Sequence, residues 1–98
     1  MEIIITLKDD TKLKFNRNPE DLRKARLNKE IILLFHDFSM FSGQIRRRPD
    51  PDEDTFIIYP GEGPIGGECR FAGILSWCYA PKTWILRKVV AHANNNPG

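Results

Sequence analysis

The sequence predicts a mainly β domain: a small antiparallel sheet of about five strands, rolled as an SH3-like barrel, with one or two short helices. Three observations lead there. Residues 2–8 and 12–16 place apolar side chains at every second position, the period of a strand. The segment 30–46 is apolar on two faces of a hairpin, and Pro and Gly cut the rest of the chain into short runs. Ninety-eight residues make one ordinary domain. We assign it to residues 1–93 and read 94–98, Asn94-Asn95-Asn96-Pro97-Gly98, as a frayed, disordered tail.

Residues 2–8 and 12–16 are the arms of a first hairpin. Ile3, Ile5 and Leu7 alternate with Ile4, Thr6 and Lys8, and Leu13 and Phe15 alternate with Lys12 and Lys14. Setting Leu7 opposite Leu13 leaves Asp9-Asp10-Thr11 as the loop, at the cost of Lys8 facing Lys12. Asn18 as N-cap, Pro19 at the first helical position and Glu20-Asp21 in the first turn predict a short helix.

The centre of the fold is 30–46. Ile31, Leu33 and Phe35 line one face and Phe41, Gly43 and Ile45 return along it, with Asp37-Phe38-Ser39 as the turn. Ile32, Leu34, His36 and Met40 make the opposite face apolar as well, so both faces must be covered. Thr55 to Tyr59 is a further strand stopped by Pro60, and 60–67 is a loop. Residues 69–79 fit both helical and strand spacing; Gly73, the aromatic content and Pro81 favour strand. Leu86, Val89, Val90 and Ala93, with Thr83 as cap, predict a helix over 83–93.

The net charge of +2 conceals segregation: residues 1–48 carry +4, residues 49–68 carry −6 with no base, and residues 69–98 carry +4 with no acid. The opening apolar run is too short for a signal peptide, and no stretch is long enough to span a membrane. These features predict a cytoplasmic protein. Cys69 and Cys78 are nine residues apart, too far for a disulfide along either a strand or a helix, and read as reduced, buried and inert.

Candidate motifs reduce to few. Gly61-Glu62-Gly63-Pro64-Ile65-Gly66 spells a dinucleotide fingerprint, but Glu62 would repel the pyrophosphate and Pro64 and Gly67 oppose the helix that must follow. His36, Cys69, Cys78 and His92 lack the close pairs of a zinc site. His36 beside Asp37, with Ser39 and Ser42, has no nucleophile elbow. No metal or cofactor is therefore expected, and no enzyme activity. Arg46-Arg47-Arg48, joined by Arg17, Arg23, Lys24, Arg26 and Lys29, is the best nucleic-acid signal, set against the acids at 50–54 that follow it. Phe38 is unusually apolar for a turn. Folded back, it covers the core; exposed beside Met40, it anchors a partner.

Asn18-Pro19-Glu20-Asp21, Ile32-Leu33-Leu34-Phe35 and Leu75-Ser76-Trp77-Cys78-Tyr79-Ala80-Pro81 resemble three segments of a family of small phage and prophage domains of unknown function. That family pairs a Leu-Pro-Glu-Asp-like turn with a Val-Leu-Val-Tyr-like strand and closes on Thr-His-Trp-Met-Pro-Leu-Pro. The resemblance spans residues 18–81. Trp77 and Pro81 match the closing segment, whereas Ser76 replaces its His and Tyr79 its inner Pro, and the family's opening tryptophan is absent. It implies a strand at 74–79 and no assigned activity. Together these readings predict a non-enzymatic interaction module, encoded by a mobile element, whose partner is an unknown protein or a second copy of the chain. The candidate contacts are Phe38, Met40, Trp77 and Tyr79. The alternative is a small-barrel nucleic-acid binder using Arg46, Arg47 and Arg48.

Overall fold

Five consecutive apolar residues cannot be half-exposed without cost, and the strand β3 (Ile31–Phe35) is the element around which the rest is built. The computed structural model describes residues 2–84. In chain order they form β1 (Ile3–Thr6), β2 (Lys12–Phe15), a 3₁₀ helix (Pro19–Lys24), β3, β4 (Met40–Gly43), β5 (Thr55–Ile58), β6 (Gly67–Arg70), a 3₁₀ turn (Phe71–Gly73) and β7 (Ile74–Tyr79). The pairs are antiparallel and fall into three sheets, β1-β2, β4-β3-β7 and β5-β6. Single bridges, Arg17 to Trp77 and Gln44 to Tyr59, join them at two corners. The strand order is thus β1-β2-β7-β3-β4-β5-β6. Among the described residues no pairing closes it into a barrel.

Side chains alternate across β3, and each face has its own cover. Ile31 and Leu33 pack with Leu22, Ala25, Ile45, Phe56, Ile58, Phe71, Ile74 and Trp77. Ile32 and Leu34 pack with Leu13, Phe15 and Cys78, edged by the half-buried Ile3, Ile5, Leu7, Met40 and Leu75. Ile31 through Leu34 are each no more than 1% exposed, worth roughly 1.5–3 kcal/mol apiece in removed apolar surface. The β1-β2 hairpin therefore roofs one side, and β5 with the 3₁₀ helix floors the other.

Both hairpin registers differ from the sequence expectation by two residues, in the same direction. Ile5 faces Leu13 and Thr6 faces Lys12; Leu33 faces Phe41 and Leu34 faces Met40. Each loop begins one residue earlier than expected, at Lys8-Asp9-Asp10 and at His36-Asp37-Phe38. In the first, the Asp10 N–H donates to the Leu7 carbonyl (3.0 Å) and the Leu7 N–H to the Thr11 carbonyl (2.8 Å). In the second, Phe38 donates to Phe35 and Phe35 to Ser39, both at 2.9 Å. This is a type I turn closed by a left-handed residue: Asp10 at φ 68 and Phe38 at φ 66. The middle aspartate fixes it. Asp9 Oδ1 accepts the Thr11 N–H (3.1 Å) and Asp37 Oδ1 accepts the Ser39 N–H (2.9 Å), holding Thr11 and Ser39 at the foot of the returning strands, where their carbonyls accept from Leu7 and Phe35. The corrected register also removes the Lys8–Lys12 opposition.

The ambiguity of 69–79 resolves as strand, with a reason for its helical look. The β3-β7 register shifts between Leu34 and Phe35: Leu34 faces Ser76 while Phe35 faces Ile74. Leu75 is the extra residue of a bulge, so Ile74 and Trp77, three apart, enter the same core. The short helix starts at Pro19 as expected, but it is 3₁₀ and the Asn18 side chain does not cap it. The Asn18 carbonyl instead accepts from Asp21 N–H (3.0 Å) and from Trp77 Nε1 (2.9 Å). Gly43 has no room for a side chain: a Cβ there would lie 2.5 Å from the Tyr59 carbonyl oxygen. The helix expected at 83–93, beyond a helical start at 82–84, and the tail 94–98 lie outside the described residues. No helix among the described residues is long and apolar enough to cross a membrane.

Candidate functional site

The tip of the β3-β4 hairpin is where an apolar side chain meets water on a rigid support. Phe38 is 61% exposed, and its φ of 66 puts a bulky aromatic residue in a region that glycine or asparagine occupies far more readily. The turn beneath it is locked. Besides the backbone bonds above, the Ser39 hydroxyl donates to Asp37 Oδ1 at 2.6 Å. These two Ser39 bonds hold the exposed Asp37 carboxyl below its ordinary pKa. Phe35, His36, Asp37, Ser39 and Gly73 line a shallow cavity of about 430 Å³ beside the tip.

The four expected contact residues are not brought together. Phe38 stands at the tip, and Met40 is half-buried against the second core cluster. Trp77 is 1% exposed and serves the first core, which removes its ring from the surface. Tyr79 packs edge-on to Trp77 with ring centroids 5.2 Å apart. Its hydroxyl accepts the Arg26 N–H at 3.1 Å. The Arg17 guanidinium lies over both rings, 5.3 Å from Trp77 and 4.9 Å from Tyr79, and Lys29 lies 5.0 Å from Tyr79. Trp77 and Tyr79 form a second, basic-rimmed locus that is mainly architectural.

The three arginines divide their roles. Arg46 stacks on Tyr59 (4.2 Å to the ring centroid) and donates to the carbonyls of Gly63 (2.8 Å) and Gly61, tying down the 60–66 loop. That loop leads into a strand, β6, rather than a helix. It carries Ile65 at 82% exposure, and Gly66 lies against Ile57 and Tyr59 so closely that a Cβ would clash. Arg47 approaches Glu53 at 3.7 Å. Glu53 is held below its ordinary pKa first by the Asp50 backbone N–H and also by Arg47 and Arg23. Arg48 donates to the Arg23 carbonyl at 3.2 Å. Arg46 and Arg48 thus donate to neutral backbone carbonyls.

Arg23, which the sequence offers only as one of the basic residues joining the arginine run, has a structural role instead. It pairs with Glu20 (2.8 Å), donates to the carbonyls of Asp50 (2.8 Å) and Glu53 (2.7 Å), and stacks 4.0 Å from the Phe71 ring centroid. It borders a groove of about 820 Å³ with Glu20, Asp54, Arg70 and Phe71, but its donors are already engaged in holding the 50–53 loop. The only hint was its i,i+3 spacing from Glu20.

Cys69 and Cys78 are free thiols. Burial pushes Cys78 up to about 11 despite Arg17, and burial, then Glu68, raises Cys69. Neither has the depressed pKa of a nucleophile. Among the described residues no three His, Cys, Asp or Glu side chains gather as metal ligands. No protein-family model, curated protein or solved structure matches this chain.

Proposed function

We propose that this chain is a non-enzymatic interaction module that presents Phe38, on the central hairpin, to an apolar pocket of a protein partner. The observation that carries this is the strained, exposed aromatic itself. A left-handed turn position favours glycine, so a phenylalanine there, its ring in solvent, goes with a use for the ring outside the fold. Asp37 and Ser39 hold the tip preorganised, which reduces the entropy lost on docking. The resemblance over residues 18–81 goes with a mobile-element origin. A sheet that turns corners at Arg17 and Gln44 goes with an SH3-like path as the finer description of the fold.

The test is affinity capture from the native host using the full chain and Phe38→Gly side by side, with nuclease present. The reading requires one stoichiometric protein that the wild type retains and the folded variant loses. Equal capture by both chains would refute it.

The second reading is nucleic-acid binding by Arg46, Arg47 and Arg48, supported by the neutral acceptors of Arg46 and Arg48. It requires retention of single strands at low salt that collapses as salt rises. Because Arg46 is structural, Arg47→Ala/Arg48→Ala is the informative variant.

A further inference from the structure

The outermost strand of the order, β1, has one edge paired and one edge open. The Leu7 N–H donates to Thr11, and Ile5 and Ile3 face Leu13 and Phe15, so alternation turns the N–H and C=O groups of Ile3, Ile5 and Leu7 toward β2. Those of Ile4 and Thr6 point away, and among the described residues no strand pairs with them. Natural sheets blunt such edges with charge, proline or a bulge. Between Glu2 and Lys8 this strand has Ile3-Ile4-Ile5-Thr6-Leu7 and none of these devices. The other edges are managed: the outer edge of β4 is stopped by the Gln44–Tyr59 bridge, and β6 carries Glu68 and Arg70.

We propose that two copies of this chain pair antiparallel through β1, about a two-fold axis at Ile5. The register follows from hydrogen bonding and charge together. Outward groups must meet outward groups, so Ile4 exchanges its N–H and C=O with the partner's Thr6. In that register Glu2 stands opposite the partner's Lys8 at both ends, and Ile5 faces the partner's Ile5. Sliding by two residues in one direction sets Glu2 against the partner's Asp10, a like-charge pair; sliding in the other sets Glu2 against the partner's Thr6 and forfeits both Glu2–Lys8 pairs. The same register places Ile3, Ile5 and Leu7 in one continuous apolar row with their copies. These are the residues the monomer leaves half-buried at the rim of its second core cluster. Joining the sheets covers that rim, and Ile4, 50% exposed, gains a cross-strand neighbour. The surface is separate from the Phe38 tip.

Sedimentation from micromolar to millimolar protein tests this on the full chain. Wild type is expected to shift from monomer to dimer, less so at high salt. Thr6→Pro removes an outward N–H, and Ile4→Lys adds an edge charge; both are expected to stay monomeric with unchanged circular dichroism. Glu2→Lys weakens association roughly tenfold, through two like-charge pairs, and Glu2→Lys/Lys8→Glu restores it. Phe38→Gly leaves the dimer intact, which separates this surface from the hairpin tip. A wild type that is monomeric throughout, a dimer indifferent to Thr6→Pro and Ile4→Lys, or a charge swap no tighter than Glu2→Lys would overturn the proposal.

Discussion

Phe38 offers a test in which glycine should beat alanine. A residue bearing a Cβ incurs roughly 1–2 kcal/mol in the left-handed region, and Phe38 sits there at φ 66. Phe38→Gly relieves that cost but loosens the unfolded chain by about 0.5–1 kcal/mol. With the ring 61% exposed, little burial is lost in either variant. Phe38→Gly is therefore expected to match or exceed wild type by up to about 1 kcal/mol, and Phe38→Ala to fall about 1 kcal/mol below Phe38→Gly. At an ordinary extended position the order is reversed by a similar amount, about 0.5–1 kcal/mol. Equilibrium urea unfolding reads the difference directly. Thermal midpoints should separate by about 4–8 °C per kcal/mol in a domain of this size. Alanine equal to or more stable than glycine would show that the tip is not left-handed. A glycine variant destabilised by more than about 2 kcal/mol would show that the ring is a core element; either result removes the ground for a docking anchor.

Three further outcomes follow from other parts of the fold. Gly43→Ala should cost about 1–3 kcal/mol, because its Cβ would press on the Tyr59 backbone and on the buried Ile58 side chain; urea midpoints measure it. Arg46→Ala should free the 60–66 loop, lowering stability by roughly 1–2 kcal/mol and opening that loop to limited proteolysis, with Arg46→Lys only partly protective. Cys78 is protonated in the fold, with its thiol pushed up from 9.0 to about 11, so its contribution is full below pH 9.0 and is lost as pH rises through about 11. Cys78→Val should flatten the fall in stability across that window relative to wild type.

Much of the architecture is written in hydrophobic period. The apolar run at 31–35 and its two faces, the paired arms at 3–6 and 12–15, and the strand at 55–58 are all visible because burial imposes the alternation directly. Register was less legible. Asp9-Asp10-Thr11 and Asp37-Phe38-Ser39 read as loops, yet in both the aspartate holds the third residue against the start of the returning strand. A bulky residue at Phe38 masks the left-handed position that glycine would have announced. The bulge at Leu75 gave β7 helical spacing for the same kind of reason: one inserted residue changes the phase, and no period survives that. The site was harder still. Arg46 and Arg23 owe their roles to carbonyl groups of distant loops, which no local pattern encodes, and Trp77 gave no sign whether its ring faced core or water.

Amide hydrogen exchange along β3 tests the two-faced core most directly. Paired to β4 on one edge and β7 on the other, with both faces covered, Ile31 through Leu34 should exchange only through global unfolding, at rates matching the free energy from urea. Fast exchange confined to Ile32 and Leu34, or protection well below the global value, would mean that the β1-β2 roof or the β7 pairing is not in place, and would contradict this account.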